Sequence, residues 1–320
     1  MKYYSHILLN LFFLSIIISA DFPDKTQLMR KNSVAKTIGR EDRKDGVHSG
    51  NRVLTRIYNH GAIGDLSSSF SGVYPIGSGH AYIFEFSPVI AASVVDANGF
   101  RKHIISDGTI GLTDNSPEGT PWGFEPLSGY ANPNQENLAM SDNENSWPDS
   151  WPNRPSDWDG EWNGQYGKYV RADQESFFVV DDYYNSEFEF WPDENDIPQD
   201  TTAAPDNHRR GLGIQLDVRG YQWNHPAAED ILIVTYWITN LGTSVLDSVV
   251  FGMYGDADVG GPSSFSDDDA WFDTENDMVF QWDHDNWSTS YGGFKPAYFG
   301  WSFLESPGNP NDGIDNDEDG

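Results

Sequence analysis

Residues 211–261 read GLGIQLDVRGYQWNHPAAEDILIVTYWITNLGTSVLDSVVFGMYGDADVGG, and this stretch decides the fold. Ile214, Leu216 and Val218 alternate with Gln215, Asp217 and Arg219, the period of two expected of a strand with one buried and one wet face. Residues 231–239, ILIVTYWIT, are rich in β-branched and aromatic side chains and predict a second strand. Asn240-Leu241-Gly242-Thr243 supplies a turn before a third run at 245–254. That run ends in GDADVGG, where Asp256 and Asp258 stand among glycines. Such a segment is either a sheet rim that holds a cation or a solvated loop.

The same patterning extends in both directions. Across a first β region, 53–106, short strand runs fall at 54–58, 72–76, 81–86, 89–95 and 100–105. Asp96-Ala97-Asn98-Gly99 separates the last two, and Asn-Gly between such runs is a strong hairpin signal. Residues 107–168 lose the period, yet they carry Trp122, Trp147, Trp151, Trp158 and Trp162. They read as a long irregular insertion whose indoles pack on the sheets, since loops of this length are uncommon in compact domains. A main β region, 169–305, resumes with runs at 169–172 and 176–184 and a brief alternation at 188–190. It closes, after the central strands and the acidic loop Asp267-Asp268-Asp269, with runs at 278–282 and 298–303. Helical periodicity is scarce, so the expected class is all-β, an antiparallel β-sandwich-like fold with long irregular Trp-, Asp- and Pro-rich insertions.

Composition narrows the function. Asp and Glu number 50 against 19 Lys and Arg, a formal charge of −31, which repels polyanions and argues against nucleic acid as a partner. Residues 1–20 combine Lys2, an apolar run and the small pair Ser19-Ala20, the pattern of a secretory signal peptide. A mixed-charge polar leader, 21–52, follows, and no later segment is apolar enough to span a bilayer as a helix. The chain has no cysteine, which removes disulfides, thiolate nucleophiles and thiolate metal sites. An exported protein without disulfides is stabilised by packing or by ions, and clustered carboxylates are hard ligands suited to Ca2+.

The most specific motif is NDGIDNDEDG at residues 311–320, in which Asp315, Asp317 and Asp319 alternate before Gly320. This is the first half of a D-x-D-x-D-G calcium loop. The string resembles the aspartate-rich calcium-binding repeats of the thrombospondin type 3 kind and their bacterial relatives, over about ten residues of the 320. The resemblance implies that these aspartates are calcium ligands in a spacer between extracellular modules, and the half loop suggests a longer parent protein. Asp256 with Asp258, Asp267 to Asp269 with Asp273, and Asp283 with Asp285 are further candidate metal ligands, with asparagines and glycines nearby to complete a shell. Solvated acidic loops would give the same pattern.

Two functions follow as expectations. One is a non-catalytic secreted or cell-surface structural or adhesion module, stabilised by Ca2+ and part of a larger modular extracellular protein. Its partner would be an extracellular protein or a polysaccharide. The other is a secreted glycan-binding protein or glycoside hydrolase. The indoles at 147–162 would then be platforms, and Asp181, Asp182, Glu187 and Glu189 near Trp191 the candidate paired acids. The histidines are scattered, with no H-E-x-x-H pair, and neither G-x-G-x-x-G nor a Walker sequence occurs.

Overall fold

A computed structural model describes residues 10–17, 42–65, 69–109, 122–198 and 208–305, with the backbone alone described for 10–17. The expected cleavage point at Ser19-Ala20 and the aspartates Asp315, Asp317 and Asp319 lie outside the described residues. Fourteen strands and a few 3-10 turns make up the regular structure, with no α-helix among the described residues. No helix there is long and apolar enough to cross a membrane.

The strands are β1 (Asn10–Ile17), β2 (Asp45–His48), β3 (Thr55–Tyr58), β4 (Ile83–Val95), β5 (Arg101–Asp107), β6 (Glu125–Pro126) and β7 (Ala139–Met140). They continue as β8 (Gln174–Asp181), β9 (Ile214–Gln222), β10 (Ile231–Asn240), β11 (Asp247–Ala257), β12 (Asp268–Asp273), β13 (Met278–Asp283) and β14 (Tyr298–Glu305). A nine-stranded sheet runs β12-β13-β14-β1-β10-β9-β8-β6, with β7 also on β8. A second sheet runs β11-β4-β5, and β2 pairs with β3. All pairings are antiparallel except that β1 lies parallel to both its neighbours. The all-β, largely antiparallel sandwich-like expectation is therefore met.

The layers follow from where β11 goes. After β10, the chain turns at Asn240 and pairs β11 not with β10 but with β4, Phe251 opposite Ile90. This carries the third central run into the other sheet. Between the two layers, Phe86 and Ile90 of β4 share one core with Leu216 and Val218 of β9, Val234 and Tyr236 of β10, and Phe299 of β14. Each such large side chain, fully buried, contributes roughly 1.5–3 kcal/mol.

Several local expectations change. The runs at 81–86 and 89–95 merge into one strand of 13 residues, β4, which starts at Ile83, while 72–76 contributes only a bridge from Val73 to Leu54. The runs at 169–172 and 188–190 are loop. Asp268 and Asp269, expected as the end of an acidic loop, are instead the first residues of β12. Within the polar 21–52 stretch, β2 pairs with β3, and the Arg43 guanidinium makes a two-pronged ion pair with the buried Glu125. The wet face expected of β9 does not exist, because the strand is buried on both sides. The insertion covers it: Trp151, Trp162, Tyr130 and Leu127 build a second core over Phe177 and Val179. Arg219 lies over the Phe177 ring, 3.9 Å from its centroid, and donates to the Asn163 carbonyl at 2.5 Å.

Candidate cation centre and aromatic face

Two acidic corners gather several of the candidate carboxylates, and they differ in how they are satisfied. At the end of β8, Asp182 accepts from the backbone N–H groups of Leu212 (2.6 Å) and Ile214 (2.9 Å) and from the Ser106 hydroxyl (2.9 Å). Asp181 pairs with the Arg209 guanidinium at 3.1 Å. Burial pushes Asp182 up to about 6, against the pull of the Leu212 N–H, Arg209 and Ser106. Both carboxylates hold the β8–β9 corner together. Glu187 and Glu189 are exposed, and Glu189 accepts from the Asn98 side-chain amide at 2.7 Å.

The second corner lies where β11 of one sheet meets β12 and β13 of the other. Asp268 and Asp283 are direct cross-strand partners. Asp267 lies in the 3-10 turn before β12, Asp285 in the turn after β13, and Asp258 just past β11. Asp267, Asp283 and Asp285 each place a carboxylate oxygen within 4.8 Å of the others. The backbone makes this approach possible. Gly260 and Gly261 both take φ above +80°, a region that favours glycine. A side chain on Gly260 would press on Ser288 and on Asp283 Oδ2. Val259 N–H, on the same turn, donates to Asp268 Oδ2 at 2.9 Å and ties the two sheets together.

The donors here are few. Asp283, 2% exposed, accepts from Ser264 Oγ (3.1 Å) and Trp287 N–H (2.8 Å), and the latter also reaches Asp285 at 2.9 Å. Asp268 Oδ1 is buried with no hydrogen-bond partner among the described residues. Asp258 is only 7% exposed. No Lys or Arg occurs between Arg219 and Lys295 in the sequence. Burial first, then the neighbouring Asp283, Asp258 and Asp267, push Asp268 up to about 7 despite the Val259 N–H. Burial and Asp256 push Asp258 up to about 6. Exposed His284 is the basic group beside this corner, its pKa raised by the bond to Asp269 first and then by Asp267 and Asp285. An all-oxygen cluster with an unpartnered buried oxygen and no Lys or Arg ion pair among the described residues is chemically suited to a hard divalent cation. Asp256 and Asp269 are turned to other partners: Asp256 accepts from the Tyr254 hydroxyl at 3.1 Å, and Asp269 from exposed His284 at 2.7 Å.

Next to this corner, the outer face of β12–β14 carries aromatic rings. The register puts Trp271 opposite Phe280 and Asp269 opposite Trp282 on one face. Trp282 stacks on Tyr298 with centroids 5.8 Å apart and an angle of 26°, and Phe280 lies 5.5 Å from Trp282. Phe280 faces Gly300, which has no side chain to cover it. Trp271 is 65% exposed, and Trp287 is also exposed. The indoles at 147–162 are not such a face. Trp151 and Trp162 are buried, and the indole N–H groups of Trp147, Trp151 and Trp162 donate to Met140 O, Glu161 O and Glu175 Oε2. They are core, as buried Trp with a satisfied N–H usually is.

Sequence reasoning passed over the rings of Trp271, Phe280, Trp282 and Tyr298. The signal for the rings was there in the alternation of DDAWFD and MVFQWD. Comparison with protein-family models, with curated proteins and with solved structures finds no match to this chain.

Proposed function

We propose that this chain is a non-catalytic, glycan-binding β-sandwich module of an exported protein, braced by a divalent cation, Ca2+ being the ion its oxygen ligands suit best. The observation that carries this reading is the exposed Trp271 beside the half-buried rings of Phe280, Trp282 and Tyr298, the last two stacked, on the face that also carries Asp269. Flat exposed rings offer an apolar surface to the C–H faces of a sugar, and a nearby carboxylate accepts from its hydroxyls. The charge of −31 favours a neutral polysaccharide over an anionic one. A structural role for the cation is part of the same reading, because the carboxylates join the two sheets close to the binding face.

Affinity gel electrophoresis tests it directly. In gels containing neutral β-glucans, xylan or mannan, the protein is retarded by at least one polysaccharide. Trp282→Ala lowers that retention about tenfold, the order expected for losing one stacking ring of roughly 1.4 kcal/mol. Equal mobility in every gel removes the glycan reading and leaves the cation-braced structural module.

A further inference from the structure

The nine-stranded sheet has an unusual seam. β10 pairs on one side with β9 and β14 on one side with β13, while the facing edges of both pair with β1. The register sets Phe12–Ile17 backbone against Ile231–Tyr236, and the Asn10–Ser15 stretch against Tyr298–Phe303. Both contacts are parallel. The lane is thus one strand wide, and its two walls run the same way. β1 is also the apolar part of the expected secretory leader, so export with cleavage would take it away.

The walls are held apart by the opposing sheet. Phe86 of β4 contacts Phe299 and Trp301 of β14, with centroids 5.2 and 4.9 Å away. Phe251 of β11 contacts Tyr236 of β10 at 5.1 Å. Neighbouring strands sit about 4.8 Å apart, so walls flanking one strand are about 9.6 Å apart and cannot bond to each other without moving off these anchors. Beneath the lane lies an apolar cavity of about 240 Å³ between the layers, bordered by Val234, Phe251, Met253, Trp301 and Phe303. Two open edges over an apolar cavity are a poor end state, because unpaired strand edges recruit other strands.

We propose that the lane between β10 and β14 is a strand-acceptor site: after leader removal it takes an uncharged, apolar strand of about eight residues from a partner polypeptide, parallel to both walls. The inference rests on the leader reading of residues 1–20 and is independent of glycan binding. The chemistry of the occupant comes from NLFFLSII at 10–17, which has no charged residue and the near-continuous apolar character of a strand buried on both faces. Outside the described strands, residues 18–41, 110–121, 199–207 and 306–320 contain no eight consecutive uncharged residues. These segments do not supply the replacement, which on this proposal is a strand of a partner polypeptide, received by the β-strand addition used in donor-strand complexes.

The test uses the protein recovered after export. N-terminal sequencing is expected to start beyond residue 17. A synthetic peptide spanning 10–17 with a solubilising tail then binds saturably. It slows amide exchange along both β10 and β14 at least tenfold, while the peptide carrying Leu14→Pro binds at least tenfold more weakly, since proline breaks the ladder. Amides of β10 and β14 already protected in the exported protein alone, with no difference between the two peptides, overturn the proposal. An exported protein that still begins before residue 10 fills its lane in cis, which overturns the leader reading and the proposal together and is distinguished by sequencing alone.

Discussion

The two acidic corners are built from the same residue type and behave oppositely. At the Asp181–Asp182 corner the protein supplies everything the carboxylates need: two backbone N–H groups, a hydroxyl and a guanidinium. At the Asp258–Asp285 corner it supplies a few neutral donors and an exposed imidazole on Asp269, and it leaves one buried oxygen of Asp268 without a partner among the described residues. Buried charge that is paired by the chain is a structural joint. Buried charge that the chain leaves unpaired is a demand on the solvent, met by a proton or by an ion.

The sharpest way to break this contrast is Asp182→Ala. It strips the acceptor from three buried donors, and unfolding by denaturant is expected to show a loss of about 3–5 kcal/mol whether or not calcium is present. A loss that vanished in chelator would make the corner ion-dependent and erase the distinction. Chelation itself should have the next largest effect. Calcium at a hundred times its dissociation constant raises stability by about 2.7 kcal/mol, and Asp268→Asn with Asp283→Asn abolishes the gain. Melting curves in calcium and in chelator check this, and an unchanged melting temperature in the wild type reduces the second corner to solvated acid.

The smallest effect concerns pH. The folded Asp182 carboxyl, pushed up to about 6, lies above its unfolded value of about 3.9. Between these values the folded chain binds more protons than the unfolded one, so this group's stability contribution is complete below about pH 4 and is lost as pH rises through about 6. The slope does not exceed about 1.4 kcal/mol per pH unit. The difference between wild type and Asp182→Asn, both in chelator, isolates it from the other corner. A difference that grows more favourable to the wild type with rising pH contradicts the burial argument.

What could be read from the sequence was whatever depended on neighbours along the chain. The β-branched run that became β10, the Asn98-Gly99 hairpin and the strand runs at 278–282 and 298–303 that became β13 and β14 are local patterns and appeared where expected. β12 was hidden because its first residues, Asp268 and Asp269, look like solvated loop until Asp283 and Trp282 pair with them. β9 was misjudged because Gln215, Asp217 and Arg219 are polar, and only a distant insertion brings Asn163 over Arg219. Asp256 and Asp258 were chosen together, yet one lies in β11 facing Tyr254 and the other past its end. Which carboxylates converge was set by β11 crossing to the second sheet, a long-range event that spacing does not encode.

β12 also ends its sheet. A terminal strand with free backbone groups and the exposed rings of Trp271 and Phe272 would ordinarily invite a second copy to dock edge to edge. Asp268, Asp269 and Asp273 stand along that same strand, and in a symmetric antiparallel pairing they would bring like charges near one another. The surplus of acid that first looked like a bulk property of the chain is, at this edge, a guard against self-assembly. An ion drawn to the inner Asp268 leaves the outward Asp269 in place to keep that guard.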